Sequence, residues 1–512
     1  MKLSLSLLPL LPIVLAAPTT KQQAPELELS LSQWAKVQSG FFEGLRSLST
    51  WSWEQAEELL ESVDDNYDEQ DQTIWKQLQA DTNSFSRLVK IINFEKNAIK
   101  VLDDPNLQVT FFAPNNDALK PPEHHHDDDD DDDDDSVFSE LIRNPSLATL
   151  SAALDADPSL TSTYDDDDAH YNRPDGNDDD DDDKKKRRKE IFKYIAGQVL
   201  QYHVLPKAYT AQELARNYTI ETSLKATDGS LAGLHRRIRI VKSVVPPQIE
   251  INFYAKLLVT DKKARNGIFH TLDAPLIPPP SLFEEAYLFP KVFSTLTSAV
   301  QRLHATKYLD WEYDRENSSP GKPRFHGTPL TTLFAPTNEA FNRLPDKLRF
   351  FLFSPFGERA LDKILQYHDV PDTLLLSEFV YFEKHHGDGH GHHHHGKDGH
   401  KNVEMIDFFD DAGFHKELEV HTALPNSTLK IVIDKTQVVP IEGAVKINIK
   451  VNGQDVQVVD VPARNGALHV LDHILVPPHK HRDHDHDHDH DLVGADAWAD
   501  WEEWLPAWAD AQ

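Results

Sequence analysis

The sequence predicts two copies of one α/β (α+β) module, and three observations support this prediction. Three blocks of sequence occur twice, in the same order along the chain. The blocks combine β-prone apolar runs, tight turns and helical spacing. Hydrophobic residues make up only 39% of the 512 residues, which indicates ordered domains diluted by polar insertions.

The first block is an apolar strand followed by the start of a helix. It occupies Gln108–Leu119 in the first copy and Leu330–Phe341 in the second. Pro336 cannot donate a hydrogen bond to a sheet, so a strand ends there. Asn338 is of a residue type that begins helices. In the second copy the block therefore predicts a strand–turn–helix unit.

The second block, Leu200–Pro206 and Leu365–Pro371, ends an amphipathic helix with Tyr-His. The third block, Lys263–Pro279 and Pro462–Pro478, contains Ala-Arg-Asn-Gly, then a strand, then Pro-Pro. In the second copy this strand is predicted over Ala467–Val476. It follows alternating strands that Asn452-Gly453 joins in a predicted type I′ hairpin.

These three blocks resemble the signature blocks of FAS1 (fasciclin-like) domains, as found in tandem-domain secreted proteins of fungal type. The resemblance covers 73–279 and 281–478. It implies that each module is a β-sandwich-like sheet wedge with flanking helices, and that the protein serves extracellular adhesion or association with matrix and cell wall. The first copy departs from the pattern, because Asn115–Leu119 lacks the closing phenylalanine and an acidic insertion follows.

The rest of the chain surrounds or interrupts the two modules. Residues 1–17 have the layout of a signal peptide, and 18–72 are expected to form an N-terminal helical segment. The acidic insertion 120–189 and the His-rich insertion 383–402 are expected to be disordered, and a tail rich in His, Asp and Trp occupies 479–512.

Charge and composition exclude several classes of protein. The net charge is −33, and the runs Asp127–Asp135, Asp165–Asp168 and Asp178–Asp183 hold 19 of the acids. A polyanionic chain repels phosphate backbones, so we expect no nucleic-acid partner. The sequence predicts no transmembrane segment and no GPI anchor. It has no cysteine, so each domain depends on its own packed core.

Two repeated polar groups are candidate sites. The resemblance implies that a Tyr-His pair contributes to receptor binding, which singles out Tyr202, His203, Tyr367 and His368. Our preferred interpretation is structural, with both side chains hydrogen-bonded where a helix meets a strand. Likewise His270 with Asp273, and the equivalent Arg464–Asp472, are interpreted as a tight turn with an internal His–Asp contact rather than an acid–base pair. No enzyme motif is present, so the sequence predicts a protein that is not an enzyme.

Histidine tracts form a candidate metal site, since 17 of the 28 histidines lie in three short stretches, the first of them His124–His126. Neutral imidazole binds Zn²⁺, Cu²⁺ and Ni²⁺, so loose multi-site binding is expected, with no cofactor required and with release as the pH falls. The alternative is a merely solvating low-complexity segment. The candidate ligands are His385, His386, His390, His392, His393, His394, His395, His400, His484, His486, His488 and His490.

Three further features carry predictions. The sequons at Asn217, Asn317 and Asn426 predict N-glycosylation. The basic run Lys184–Lys189, expected in an exposed loop, is either a processing site or a partner for the adjacent aspartates. The stripe of Trp498, Trp501, Trp504 and Trp508 predicts an amphipathic helix that docks on a domain or on a partner.

The sequence thus favours a secreted, non-enzymatic adhesion protein whose partner is a cell-surface or cell-wall protein or polysaccharide. One alternative is a soluble metal- or proton-buffering protein on a FAS1 scaffold. Another is a luminal protein of the vacuole or secretory pathway that serves membrane traffic.

Overall fold

The structure is a computed structural model in which the chain forms two compact units. The first domain comprises the described residues up to Lys225 together with 235–278. The second domain comprises 279–512 together with Ala226–Leu234. The structure describes residues 71–120, 133–157, 160, 179–244, 247–314, 324–384, 402–408, 414–437, 445–479, 498 and 500–511.

The helices of the first domain enclose one apolar cluster that includes Phe85, Leu150 and Phe192. Side-chain caps define where the first two begin, because Thr73 and Asp81 accept backbone N–H groups of the turn that follows. The helices are α1 (Ile74–Ala80), α2 (Thr82–Ile92), α3 (Lys96–Asp103), α4 (Asp133–Arg143), α5 (Leu147–Ala156), α6 (Asp179–Tyr202) and α7 (Ala211–Ala215).

The sheet of the first domain has the strand order β2-β1-β7-β6-β5-β4-β3. The strands of the first and third sequence blocks, β1 and β7, pair in parallel, and the other pairs are antiparallel. The strands are β1 (Val109–Pro114), β2 (Val204–Leu205), β3 (Thr219–Lys225), β4 (His235–Val244), β5 (Pro247–Ile251), β6 (Ala255–Ala264) and β7 (Gly267–Leu272).

The second domain repeats this strand arrangement, because Thr331–Pro336 and Gly466–Leu471 pair in parallel as β1 and β7 do. Its helices are α8 (Leu282–Leu288), α9 (Pro290–Arg302), α10 (Asn338–Asn342), α11 (Asp346–Leu352), α12 (Glu358–His368) and α13 (Trp501–Asp510).

The strands of the second domain divide among smaller sheets, in the orders β8-β9, β11-β10-β20-β19, β12-β13-β14 and β15-β16-β17-β18. The predicted type I′ hairpin is confirmed, because Asn452 and Gly453 both have positive φ between β17 and β18. The strands are β8 (Trp311–Tyr313), β9 (Phe325–Gly327), β10 (Thr331–Pro336), β11 (Asp369–Pro371), β12 (Thr373–Leu375), β13 (Phe379–Lys384), β14 (Asn402–Asp407), β15 (His415–His421), β16 (Thr428–Gln437), β17 (Val445–Val451), β18 (Gln454–Asp455), β19 (Val458–Ala463) and β20 (Gly466–Leu471).

Together these elements give the α+β class and the paired repeat that the sequence predicts. Three local expectations differ from the structure. The acidic insertion contains α4 and α5, whose buried Leu141, Leu147 and Leu150 join the core, so the expectation of disorder is wrong there. The basic run Lys184–Lys189 lies in α6 rather than in a loop. The last strand ends at Leu471, before the predicted Val476.

Several predictions concern residues that lie outside the described part of the chain. These are the signal peptide, most of the segment 18–72, and Asn317. The histidine tracts His124–His126, His385–His400 and His484–His490 lie outside it as well.

Candidate functional site

The Tyr-His tyrosines make the same two hydrogen bonds in both domains. Tyr367 is buried and donates its hydroxyl proton to the Thr428 carbonyl oxygen at 3.2 Å. The same hydroxyl accepts the Asn452 side-chain N–H at 2.8 Å. In the first domain Tyr202 donates to a backbone carbonyl at 3.0 Å and accepts from Asn252 at 2.9 Å. Both tyrosines therefore join the end of a helix to a hairpin of their own domain.

The adjacent histidines join that helix end to the end of the third block. His368 Nδ1 donates to the Ile364 carbonyl oxygen at 2.8 Å, and its Nε2 accepts the Leu475 backbone N–H at 3.0 Å. His203 makes the equivalent bonds at 2.8 and 2.9 Å. An accepting Nε2 requires the neutral ring. In agreement, complete burial lowers the pKa of both histidines to about 4, against the raising effect of the Nδ1 bond.

The Asn-Gly turn of the third block binds the segments around it. In the second domain the Asn465 side chain donates to the Leu309 and Thr328 carbonyl oxygens at 3.1 and 2.8 Å. Its oxygen accepts the Leu282 backbone N–H at 3.0 Å. The next residue must be glycine, because a Cβ on Gly466 would collide with the neighbouring strand.

The first domain repeats this arrangement. The Asn266 oxygen accepts the Ile74 backbone N–H at 2.8 Å, and its amide donates to the Leu102 carbonyl oxygen at 2.9 Å. Gly267 has φ of 140°, and a Cβ there would meet the Val109 backbone. The two Asn-Gly pairs therefore attach the helices before β1 and β10 to the sheet.

The histidines of the third block have different acidic neighbours from those the sequence suggests. His270 Nδ1 accepts the Asp261 backbone N–H at 3.2 Å, and its Nε2 donates to a carbonyl oxygen at 3.0 Å. His469 and Asp460 repeat this pairing at 3.3 Å. The expected contact with Asp273 is wrong, because both ring nitrogens of His270 have other partners and Asp273, just after β7, accepts the Lys256 backbone N–H at 2.7 Å. The signal that identifies the true partner is an aspartate nine residues before each histidine.

Asp472, the counterpart of Asp273, makes contacts of its own. Its carboxylate accepts from Arg343 Nη1 at 2.8 Å and lies 2.8 Å from His473 Nδ1. The repeated Tyr and His side chains, like Asn266 and Asn465, are almost fully buried and bonded within their domains. They stabilise the frame, and the receptor-binding role that the resemblance implies for the Tyr-His pairs stays a prediction.

A group of carboxyls with raised pKa lies near the start of the second domain. Burial is the main cause: it raises the pKa of Glu284 to about 7 and that of Glu285 to about 8. Asp310 is buried, accepts the Ser281 hydroxyl at 2.5 Å and has a pKa of about 8, again mainly because of burial. Glu312 adds negative charge nearby. These carboxyls therefore take up protons near neutral pH.

One cation offsets part of this charge. Arg464 lowers the pKa of Glu284 through its charge, but its guanidinium Nε also binds Asp228 Oδ2 at 2.8 Å. The side chains of Arg464 and Asp228 are only 15% and 5% exposed, so that ion pair is largely removed from water.

An open polar cleft of about 510 Å³ lies along the sheet of β15–β18. His415 borders it, and its Nδ1 lies 2.6 Å from the Asp434 carboxylate, a contact that raises the pKa of this exposed histidine. The lining contains both lysines and aspartates, so the cleft has no single sign of charge. The lining residues are Phe414, His415, Asp434, Lys435, Thr436, Lys446, Asn448, Lys450 and Asp455.

Metal-ligand clusters and membrane-spanning helices are both absent from the described residues. These residues contain no group of three or more His, Cys, Asp or Glu side chains placed to hold a metal ion. No helix among them is long and apolar enough to cross a membrane.

Comparisons with known proteins agree with a chain built from two repeated domains. The fasciclin domain family model matches residues 180–278 and 291–477. The chain is 28% identical to mouse Stabilin-2 over 36% of this chain and 7% of that protein. It is 30% identical to the aurofusarin biosynthesis cluster protein S of Gibberella zeae over 42% of this chain and 47% of that protein.

Two other proteins are similar over different shares of the chain. The pig transforming growth factor-beta-induced protein ig-h3 is 34% identical over 23% of this chain and 14% of that protein. The solved FAS1 domain pair of the insect cell adhesion molecule Fasciclin I aligns at 14% identity, with a TM-score of 0.25, over 76% of this chain and 95% of that structure. The chain spans less than half the length of each of these curated relatives.

Proposed function

Because the chain belongs to the fasciclin domain family, we propose that it is a non-enzymatic adhesion protein that attaches to cell-surface or cell-wall components. The match to the fasciclin domain family carries this proposal, and the burial of the repeated Tyr-His pairs limits which surfaces can bind. Tyr202, His203, Tyr367 and His368 are at most 3% exposed and bonded internally. Binding therefore depends on the exposed surfaces that surround this frame.

A retention assay tests the adhesion proposal. The purified full chain is immobilised, and the retention of cells and of isolated wall fragments is measured over a range of surface densities. We expect retention that rises with density and saturates. Heat-denatured protein at equal density is the control, and equal retention on it contradicts a role for the folded domains.

A matched substitution examines the Tyr-His pair in the same assay. Because Tyr367 is buried, we expect Tyr367→Phe to lower stability by about 1 kcal/mol through its lost hydrogen bonds and to leave retention unchanged. Loss of retention with unchanged stability would instead support a direct part of this pair in binding.

A second function, loose binding of Zn²⁺, Cu²⁺ or Ni²⁺ and of protons, is favoured by the clustering of 17 of the 28 histidines. Calorimetric titration of the full chain with Zn²⁺ at pH 7.5 and 5.5 tests it. We expect uptake at the higher pH, and a chain lacking 383–402 and 479–491 should lose the uptake and keep adhesion. No heat of binding at pH 7.5 rejects this second function.

We propose export by the secretory route, with the vacuolar lumen as the alternative destination. N-glycosylation tests this proposal, because glycans are added to sequons along that route. Asn426 is exposed, whereas the Asn217 side-chain amide donates to the Glu213 carbonyl oxygen at 2.8 Å. We therefore expect fuller glycan occupancy at Asn426, measured by mass spectrometry of the tagged protein from medium, wall and vacuole fractions. Unmodified Asn426 in all three fractions would speak against this route.

A further inference from the structure

The C-terminal helix α13 lies against α11 and α12 of the second domain. The rings of Trp501 and Phe351 pack with their centroids 5.2 Å apart. At the other end, Lys363 Nζ donates to the carbonyl oxygens of Trp508 and Ala511 at 3.0 and 2.5 Å. This lysine satisfies carbonyls at the end of α13 where the helix dipole is negative.

Charge complementarity accompanies these contacts. Lys347 Nζ lies 3.4 Å from the Glu502 carboxylate, and Arg359 Nη1 lies 2.8 Å from the Asp510 carboxylate. The docked helix is thus acidic and rich in tryptophan, and the surface below it is basic. We call that surface the basic-aromatic face and define it by Lys347, Phe350, Phe351, Arg359 and Lys363.

The helix of the same chain fits this face incompletely. Only Leu505 and Ala509 of α13 are buried. Its N-cap residue Asp500 has φ of 53° and makes no capping side-chain bond. The buried Trp504 Nε1 has no hydrogen-bond partner among the described residues, which costs free energy. The two ion pairs are exposed and contribute little.

Part of the basic-aromatic face stays uncovered. Phe350 is 80% exposed. Phe350 follows Lys347 by three residues on α11, which makes the two side chains neighbours on the helix surface. The first residues of α13, Trp501 and Glu502, lie against α11, the helix that also carries Phe350.

We propose that the basic-aromatic face is a docking site for an acidic, tryptophan-containing amphipathic helix of a partner protein, which displaces α13. Such a helix keeps the pairs with Lys347 and Arg359 and the cap from Lys363. It adds apolar contact with Phe350, which α13 leaves open. The helix α13 holds the site closed until such a partner binds.

Two labelled peptides serve as probes of the site. The short probe is residues 498–512, and the long probe carries one more helical turn with two leucines at its N-terminus. Fluorescence anisotropy measures their binding to the full chain and to the full-length double variant Trp501→Ala, Trp508→Ala, in which α13 is weakened. We expect the short probe to bind this variant at least about tenfold tighter than the wild type.

Further substitutions in the weakened chain locate the binding. Arg359→Glu with Lys363→Glu should weaken both probes about tenfold or more, because it removes one ion pair and the C-terminal cap. Phe350→Ser should abolish only the advantage of the long probe, expected at about threefold. Equal binding to the Arg359→Glu, Lys363→Glu chain and its parent overturns the proposal, as does no binding to any folded chain.

Hydrogen exchange on the wild-type full chain gives a second reading that needs no weakened variant. An excess of unlabelled long probe should speed amide exchange in 501–510, because the displaced helix loses its packing. Exchange in α6, which belongs to the first domain, is the internal control. Unchanged exchange in 501–510 at saturating probe means that α13 is not displaced, and the proposal is wrong.

Discussion

The buried histidine His368 gives a prediction whose size follows from the structure. Its pKa in the folded protein is about 4, mainly because of burial, against an ordinary value of 6.5. At about 1.36 kcal/mol for each pKa unit, the difference corresponds to roughly 3 kcal/mol of stability. The folded state binds fewer protons than the unfolded state. The contribution is therefore complete above pH 6.5 and is lost as the pH falls towards 4.

A comparison with His368→Phe isolates this contribution from every other titrating group. The variant loses the acceptor for the Leu475 N–H, so we expect it to be less stable by about 1–3 kcal/mol at pH 7.5. As the pH falls to 4 the wild type loses the further 3 kcal/mol and the variant does not. The free energy of unfolding of the wild type should therefore exceed that of the variant by less at pH 4 than at pH 7.5.

Urea unfolding followed by far-UV circular dichroism at several pH values between 7.5 and 4 measures this difference. The first domain and the carboxyls contribute equally to both chains and cancel. His415→Gln is the matched control, because His415 is exposed and its pKa is raised rather than lowered. If the stability difference between wild type and His368→Phe stays constant over the whole range, the assignment of a neutral buried ring is refuted.

Further predictions follow from the second domain. Glu284→Gln with Glu285→Gln should raise stability at pH 8 and have little effect at pH 5 in urea unfolding, because raised carboxyl pKa values favour folding only while the groups are protonated. Gly466→Ala should cost about 3 kcal/mol or more, whereas Gly197→Ala, whose neighbour is a flexible side chain, should be nearly neutral. Asn465→Ala should cost about 2–4 kcal/mol, since it leaves three backbone groups unpaired. Thermal unfolding checks the last two, and equal effects of the two glycine substitutions would contradict the close approach at Gly466.

Sequence reasoning recovers the features that are encoded locally or by repetition. The Asn452-Gly453 turn needs two positive φ angles, which its residue types accept, so it can be predicted without a structure. The partner of His270 cannot be predicted this way, because Asp261 lies on the neighbouring strand and the pairing depends on register. Comparison of the two copies supplies the missing constraint.

The acidic insertion shows a different limit. Composition averaged over 120–189 is dominated by aspartates and predicts no packed structure. A short stretch inside it, Leu147–Ala156, nevertheless places its leucines in the core and begins with a capping box between Ser146 and Thr149. Windows of about ten residues detect such a helix, whereas an average over the whole insertion conceals it.

The acidic insertion lies at the position in the chain where the two domains differ from each other. Both copies place a variable segment between the first block and the Tyr-His helix, and the frame on either side is held by the same buried bonds. In the first domain this segment supplies α4 and α5, whose apolar side chains join the core. In the second it supplies α11, on which Phe350 is exposed three residues after Lys347. A frame fixed by internal polar bonds allows such segments to vary without unfolding, so the surfaces that recognise partners are expected to differ between the two copies.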